Sequence, residues 1–119
     1  MAHGSMKAGM QECIDRCHSC EEICLESVQH CLQQGGKHAD PDHIGMLIAC
    51  AEICSTSARF MLLGSKHHTS TCDVCAEVCE ACADDCESFA GDNMMQRCAE
   101  VCRRCAESCR EMAGEKARA

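Results

Sequence analysis

Sixteen of the 119 residues are cysteine, and their spacing is regular. They fall at Cys13, Cys17, Cys20, Cys24 and Cys31, then Cys50 and Cys54, then Cys72, Cys75, Cys79, Cys82 and Cys86, and last Cys98, Cys102, Cys105 and Cys109. Steps of three and four are the heptad seam that leucine occupies in a coiled coil, so the thiols line the inward face of helices. Soft thiolates select Cu(I), zinc or iron–sulfur clusters, while carboxylates and imidazoles suit harder ions. Iron–sulfur clusters need four cysteines gathered at one place and zinc prefers closed tetrahedral groups, whereas this pattern is a continuous stripe. Side chains three and four apart on a helix have Cβ atoms about 5 to 6 Å apart, so neighbouring sulfurs can clamp one ion. Cu(I) accepts two thiolates, bridging sulfurs serve two ions each, and the stripe permits roughly one Cu(I) per thiol. Because each ion displaces a thiol proton, the filled interior stays near neutral.

Four helical segments must position these residues. The first runs from about Met6 to Gln34 and stops at Gly35 and Gly36. The second starts at Asp40-Pro41, an N-cap followed by proline in the first turn, and ends near Gly64. The third starts after Ser70, with Asp73 completing a short-armed capping box, and ends near Gly91. Asp92 or Asn93 caps the fourth, which ends near Gly114 before a charged tail. Helices of about 20 to 29 residues are roughly 30 to 43 Å long. Short connections make successive helices antiparallel neighbours, so the expected fold is all-α, an up-down-up-down four-helix bundle with a cysteine-lined core. The whole chain, 1–119, is expected to be one domain, with residues 1–5 and 115–119 flexible.

Extending the register turns Met6, Met10, Ser27, Leu47, Ser57, Met61, His68, Phe89, Met95 and Met112 inward. Charged positions such as Asp15, Arg16, Glu21, Glu77, Glu80, Asp84, Arg103 and Glu107 fall on the solvent face. Antiparallel packing brings Met6, Met10, Met61, His67, His68 and Met112 to one end of the bundle. Thioethers and imidazoles exchange Cu(I) more readily than thiolates, so Met10, Met61, His68 and Met112 are expected to admit copper there. The opposite end gathers His30, Cys31, His43, Leu47, Phe89, Met94 and Met95 and reads as an apolar plug. His18, His30 and His38 read as solvent-facing bystanders, and His3 belongs to the chain start. A methionine at a core position is also an ordinary gap filler.

The net charge of −8, from 11 basic and 19 acidic residues, argues against nucleic acid and anionic membrane surfaces as partners. No apolar run reads as long enough for a bilayer span or a signal peptide, so the expected location is the cytoplasm. In that reducing compartment metal binding is a better reading of dense cysteine than disulfides. Phe60 and Phe89 are the only aromatic residues, which leaves little conventional core. Leu25, Val28, Leu32, Ile44, Ile48, Ile53, Leu62, Leu63, Val74, Val78 and Val101 must therefore pack beside the seams or against neighbouring subunits. Two other chemistries stay open: a zinc or mixed-metal thiolate buffer, and a thiol redox or disulfide-stapled scaffold. No acid–base pair or activated nucleophile stands out, so no enzyme is expected.

The interlocking CxxxCxxCxxxC of the first helix, its counterpart in the last, and the CxxCxxxCxxCxxxC of the third resemble the bacterial copper storage proteins over nearly the whole chain. That resemblance implies storage of many Cu(I) ions inside each bundle and a homotetramer of bundles, and the lack of an export signal resembles the cytosolic branch. A copper chaperone is the implied class of delivery partner. The chain departs from that pattern on its second helix, which has only two cysteines, with Ser57 and Met61 continuing the stripe.

Overall fold

The computed structural model describes residues 8–118, with side chains through 114. Four helices follow one another: α1 (Met10–Gln34), α2 (Pro41–Leu62), α3 (His68–Glu87) and α4 (Asn93–Arg118), with a short 3-10 helix, Gly36–Ala39, between the first two. Each packs its backbone against two others, α1 on α2 and α4, and α3 on α2 and α4, so the helices form a square across whose diagonals only side chains meet. The bundle measures 48 × 25 × 20 Å. With helices of 20 to 26 residues, one long axis accommodates a whole cysteine stripe.

Most ends follow from local chemistry. Gly35 ends α1 at φ 69°, a left-handed conformation that costs glycine little, and its N–H bonds the Cys31 carbonyl. The Asp40 carboxylate accepts the Asp42 N–H at 2.8 Å, with Pro41 in the first turn of α2. Asp92 caps α4 by accepting the Met95 N–H at 3.1 Å.

Two boundaries differ from the sequence expectation. Helix α3 begins at His68, not after Ser70, and carries no side-chain cap at His67, so Asp73 lies in its second turn rather than in a capping box. The turn after Gly64 explains this, because Ser65 takes over the starting role: its hydroxyl accepts the His67 N–H and its carbonyl accepts the His68 N–H. Helix α4 passes Gly114 and runs to Arg118, since an isolated glycine weakens a helix without ending it. The chain start, with His3 and Met6, lies outside the described residues.

All sixteen cysteines are 0 % exposed, and alanines at positions such as 51, 58, 76, 83, 99 and 106 let the helices approach closely around them. Charges ring the outside. Arg103 on α4 bonds Asp84 and Glu87 on α3 at 2.8 Å each, and Arg16 on α1 donates to Ser108 on α4 at 2.7 Å. Val28, Ile44, Ile53, Val78 and Val101 pack on the core, but Leu25, Leu32, Ile48, Leu62, Leu63 and Val74 remain exposed. One reading of composition needs correction. Helix α2, with 22 residues and a stretch of mean hydropathy 1.3, is long and apolar enough to cross a membrane by length and composition. In the bundle it forms one wall, with Leu47, Cys50, Cys54 and Met61 on its buried side.

Candidate metal centre

The heptad spacing brings all four stripes onto one axis, where every cysteine is a buried free thiol. Nearest sulfurs across the bundle stand 3.6 to 4.0 Å apart, far beyond the roughly 2.05 Å of a disulfide bond. From the end holding the start of α1, Cys13 meets Cys109 at 3.6 Å, and Cys17 meets Cys109 and Cys105 at 3.7 Å. Cys54 then touches Cys79 at 3.6 Å and Cys75 at 3.8 Å, and Cys20 touches Cys102 at 3.6 Å and Cys50 at 3.8 Å. Cys24 reaches Cys98 and Cys102 at 3.9 Å.

These sulfurs group into fours whose members all lie within 4.8 Å of one another: Cys17, Cys75, Cys105 and Cys109; Cys54, Cys75, Cys79 and Cys105; Cys20, Cys50, Cys54 and Cys79; Cys20, Cys24, Cys50 and Cys102; Cys24, Cys82, Cys98 and Cys102. Consecutive groups share members, so each sulfur of the middle of the bundle faces more than one site. The two cysteines of α2 therefore belong to the ladder as fully as those of the richer helices.

Burial pushes these thiols up, because a thiolate without a counter-charge is poorly solvated there. Hydrogen bonding then splits them. Cys20 and Cys50 are held down, most strongly by Cys102, while Cys102 and Cys54 are driven up through Cys20 and Cys105 respectively. The Ser27 and Ser57 hydroxyls, fully buried at stripe positions, have no hydrogen-bond partner among the described residues.

The two ends differ. At the first, Met10, Met61, His68 and Met112 are at most 6 % exposed and close over the thiols, with Met61 Sδ 3.9 Å from Cys72 Sγ. His68 Nδ1 donates to the Ser65 carbonyl at 2.9 Å, which fixes the orientation of the ring. His67 is exposed and does not join this set.

The second end is more than the apolar plug expected from sequence. Cys31 Sγ lies 3.3 Å from His43 Nε2 and 3.6 Å from Met95 Sδ, and His43 Nδ1 is held by Asp85 at 2.5 Å. A carboxylate behind an imidazole whose other nitrogen faces a sulfur is the arrangement that orients metal-ligating histidines. The Cys31 thiol is pushed up to about 11 by burial and by the negative charges of Asp92, Cys98 and Asp85. Sequence reasoning turned Met95 inward but gave no ligand role to it or to His43. The signal was present, because 43, 47, 50, 54, 57 and 61 continue one heptad register. His18 is exposed as expected, whereas His30 and His38 are no bystanders: both bond Asp92.

Residues 6–114 match the family model for the copper storage protein. Among solved structures, a Nitrosospira multiformis protein, Nmul_A1745, is similar at TM-score 0.84 and 48 % identity, over 89 % of this chain and 95 % of that one. The Cu(I)-bound copper storage protein BsCsp3 of Bacillus subtilis is similar at TM-score 0.82 and 32 % identity, covering 88 % and 98 %. A cytosolic copper storage protein of Streptomyces lividans, seen with five coppers, is similar at TM-score 0.83 and 29 % identity, covering 93 % and 97 %. It is also known loaded with 10 copper equivalents. No curated protein sequence matches the chain.

Proposed function

The chain belongs to the copper storage protein family, and from that premise we propose that it holds many Cu(I) ions on the sixteen thiolates inside its bundle. The observation that carries this reading is the overlap of the four-sulfur groups. Closed tetrahedral sites would each need four cysteines of their own, and most sulfurs here are shared between two groups. Shared sulfurs suit bridging thiolates and a low-coordinate soft ion. Each Cu(I) takes the place of one S–H proton, which leaves for solvent, so the interior fills without accumulating charge.

The ligand set is Cys13, Cys17, Cys20, Cys24, Cys31, Cys50, Cys54, Cys72, Cys75, Cys79, Cys82, Cys86, Cys98, Cys102, Cys105 and Cys109. Met10, Met61, His68 and Met112 form the exchange ligands through which copper enters. Their burial means that these side chains move to admit an ion. The whole chain acts as one storage domain in the cytoplasm, supplied by a copper chaperone. The exposed Leu25, Leu32, Ile48, Leu62, Leu63 and Val74 support assembly of bundles, as a homotetramer. No enzymatic step is proposed.

Anaerobic Cu(I) titration of the reduced protein against a competing chelator, with elemental analysis, tests the reading. Uptake approaching roughly one Cu(I) per thiol is expected. A plateau at about one metal per four thiols with preference for zinc would instead fit closed tetrahedral sites and overturn it.

A further inference from the structure

A second cluster of ligating atoms lies outside the thiol interior. His30, near the end of α1, and His38, in the 3-10 helix, both direct Nε2 at the same oxygen of Asp92, with Nε2–Oδ2 distances of 2.9 and 2.8 Å. All three side chains are partly sheltered, 26 %, 23 % and 15 % exposed. The other oxygen, Oδ1, is already engaged in capping α4 through the Met95 N–H. That single bond meets the needs of a helix N-cap. Two further imidazoles from two other elements, converging on the remaining oxygen, are more than a cap requires.

We propose that His30, His38 and Asp92 form a separate site for one divalent cation of borderline softness, such as Zn(II). The chemistry is that of two imidazoles and a carboxylate, a nitrogen–oxygen set that favours such ions over Cu(I). The geometry is close to what the ion needs. Ligand atoms about 2.0 to 2.1 Å from a tetrahedral ion stand about 3.3 Å from one another. Opening the two nitrogen–oxygen contacts by about half an ångström, with loss of the protons between them, admits the ion at this ligand distance. The ring of His38 is braced against Phe89, with centroids 4.4 Å apart, so part of the site is already oriented. A cleft lined by Gln34, Gly91, Asn93 and Met94 adjoins the three ligands and leaves room for water as a fourth. The bound ion ties α1, the 3-10 helix and the start of α4 together beside Cys31, closing that end of the bundle.

Co(II) serves as a probe of the site, because its visible spectrum separates nitrogen–oxygen ligation from the intense charge transfer of thiolate ligation. Wild-type protein is compared with His30→Ala/His38→Ala and with Asp92→Asn, which keeps a good N-cap. The titrations are run before and after Cu(I) loading. Wild type is expected to bind one Co(II) more per chain than either variant, with weak d–d bands and no sulfur charge transfer, and to show at least about tenfold tighter Zn(II) binding by calorimetry. Equal Co(II) uptake by wild type and the double-histidine variant overturns the proposal. Failure of the thiols to take Cu(I) counts against the storage reading alone, because the wild-type minus variant difference is also read without copper.

Discussion

The two ends of the bundle use similar soft atoms to different effect. At one, three thioethers and His68 are buried, with Met61 Sδ 3.9 Å from Cys72 Sγ and the His68 ring bonded to the Ser65 carbonyl. At the other, Cys31, His43 and Met95 converge, and the rings are pinned by Asp85, Asp92 and Phe89. Methionine has three rotatable bonds and a weakly ligating sulfur, so a layer of methionines can part and reform. An imidazole fixed by a carboxylate cannot swing away without breaking a charge-assisted bond. Under the proposed function, the methionine end is the one suited to exchange and the histidine–carboxylate end the one suited to retention.

The largest expected effect separates the ends by rigidity. Phe89→Ala removes the ring that sits 4.4 Å from His38 and 4.5 Å from His43. It should destabilise the apo protein by about 3 kcal/mol in urea unfolding, as large-to-small changes of a buried aromatic do. Met112→Leu at the other end, a swap that nearly conserves volume, should cost less than about 1.5 kcal/mol. Equal losses would erase the distinction.

Copper chemistry sharpens it further. Asp85→Asn should lower Cu(I) affinity at the Cys31–His43–Met95 set by about tenfold, because it weakens the group that orients the imidazole. Chelator competition reads that loss, and the rate of loading should not change. The triple Met10→Leu/Met61→Leu/Met112→Leu should do the reverse, slowing uptake in stopped-flow mixing while leaving the final load intact. Loading as fast as wild type would remove the methionine end as the entrance.

Smaller effects follow from the polar groups of the core. A buried hydroxyl with no partner is a cost to the folded state, so Ser27→Ala and Ser57→Ala should each raise apo stability by about 1 kcal/mol. Titration of Cys31 gives the least. Its folded value, about 11, lies above the ordinary 9.0, so the folded chain keeps the proton longer than the unfolded chain. The stabilisation is fully present below about pH 9 and is lost as pH rises through about 11. Circular dichroism of reduced apo wild type against Cys31→Ser, followed through that window, should show a steeper alkaline loss for wild type.

Much of the centre was legible because helical periodicity is a local property. Steps of three and four around Cys72–Cys86 and Cys98–Cys109 fix a face before any neighbour is known, and that face is buried along its length. The same rule placed Met10, Met61, His68 and Met112 correctly inside. It was less informative for the histidines near the second end. His30 and His38 lie off the cysteine stripe, and only the approach of the α4 N-terminus gives them Asp92 as a common partner. The start of α3 escaped for a related reason: Ser65 caps from within a turn whose shape depends on Gly64.

The sequence alone determined that four amphipathic helices carry sulfur on their inner faces, because residue spacing and helix pitch settle which side chains point together. Which sulfurs share a site was decided only by tertiary structure. Contacts such as Cys20 to Cys102 or Cys54 to Cys75 depend on the relative height and rotation of separate helices, set by alanine contacts and turn lengths that no single helix encodes. The meeting of His43 with Cys31 and Asp85, and of two imidazoles with Asp92, arises in the same way from parts of the chain distant in sequence.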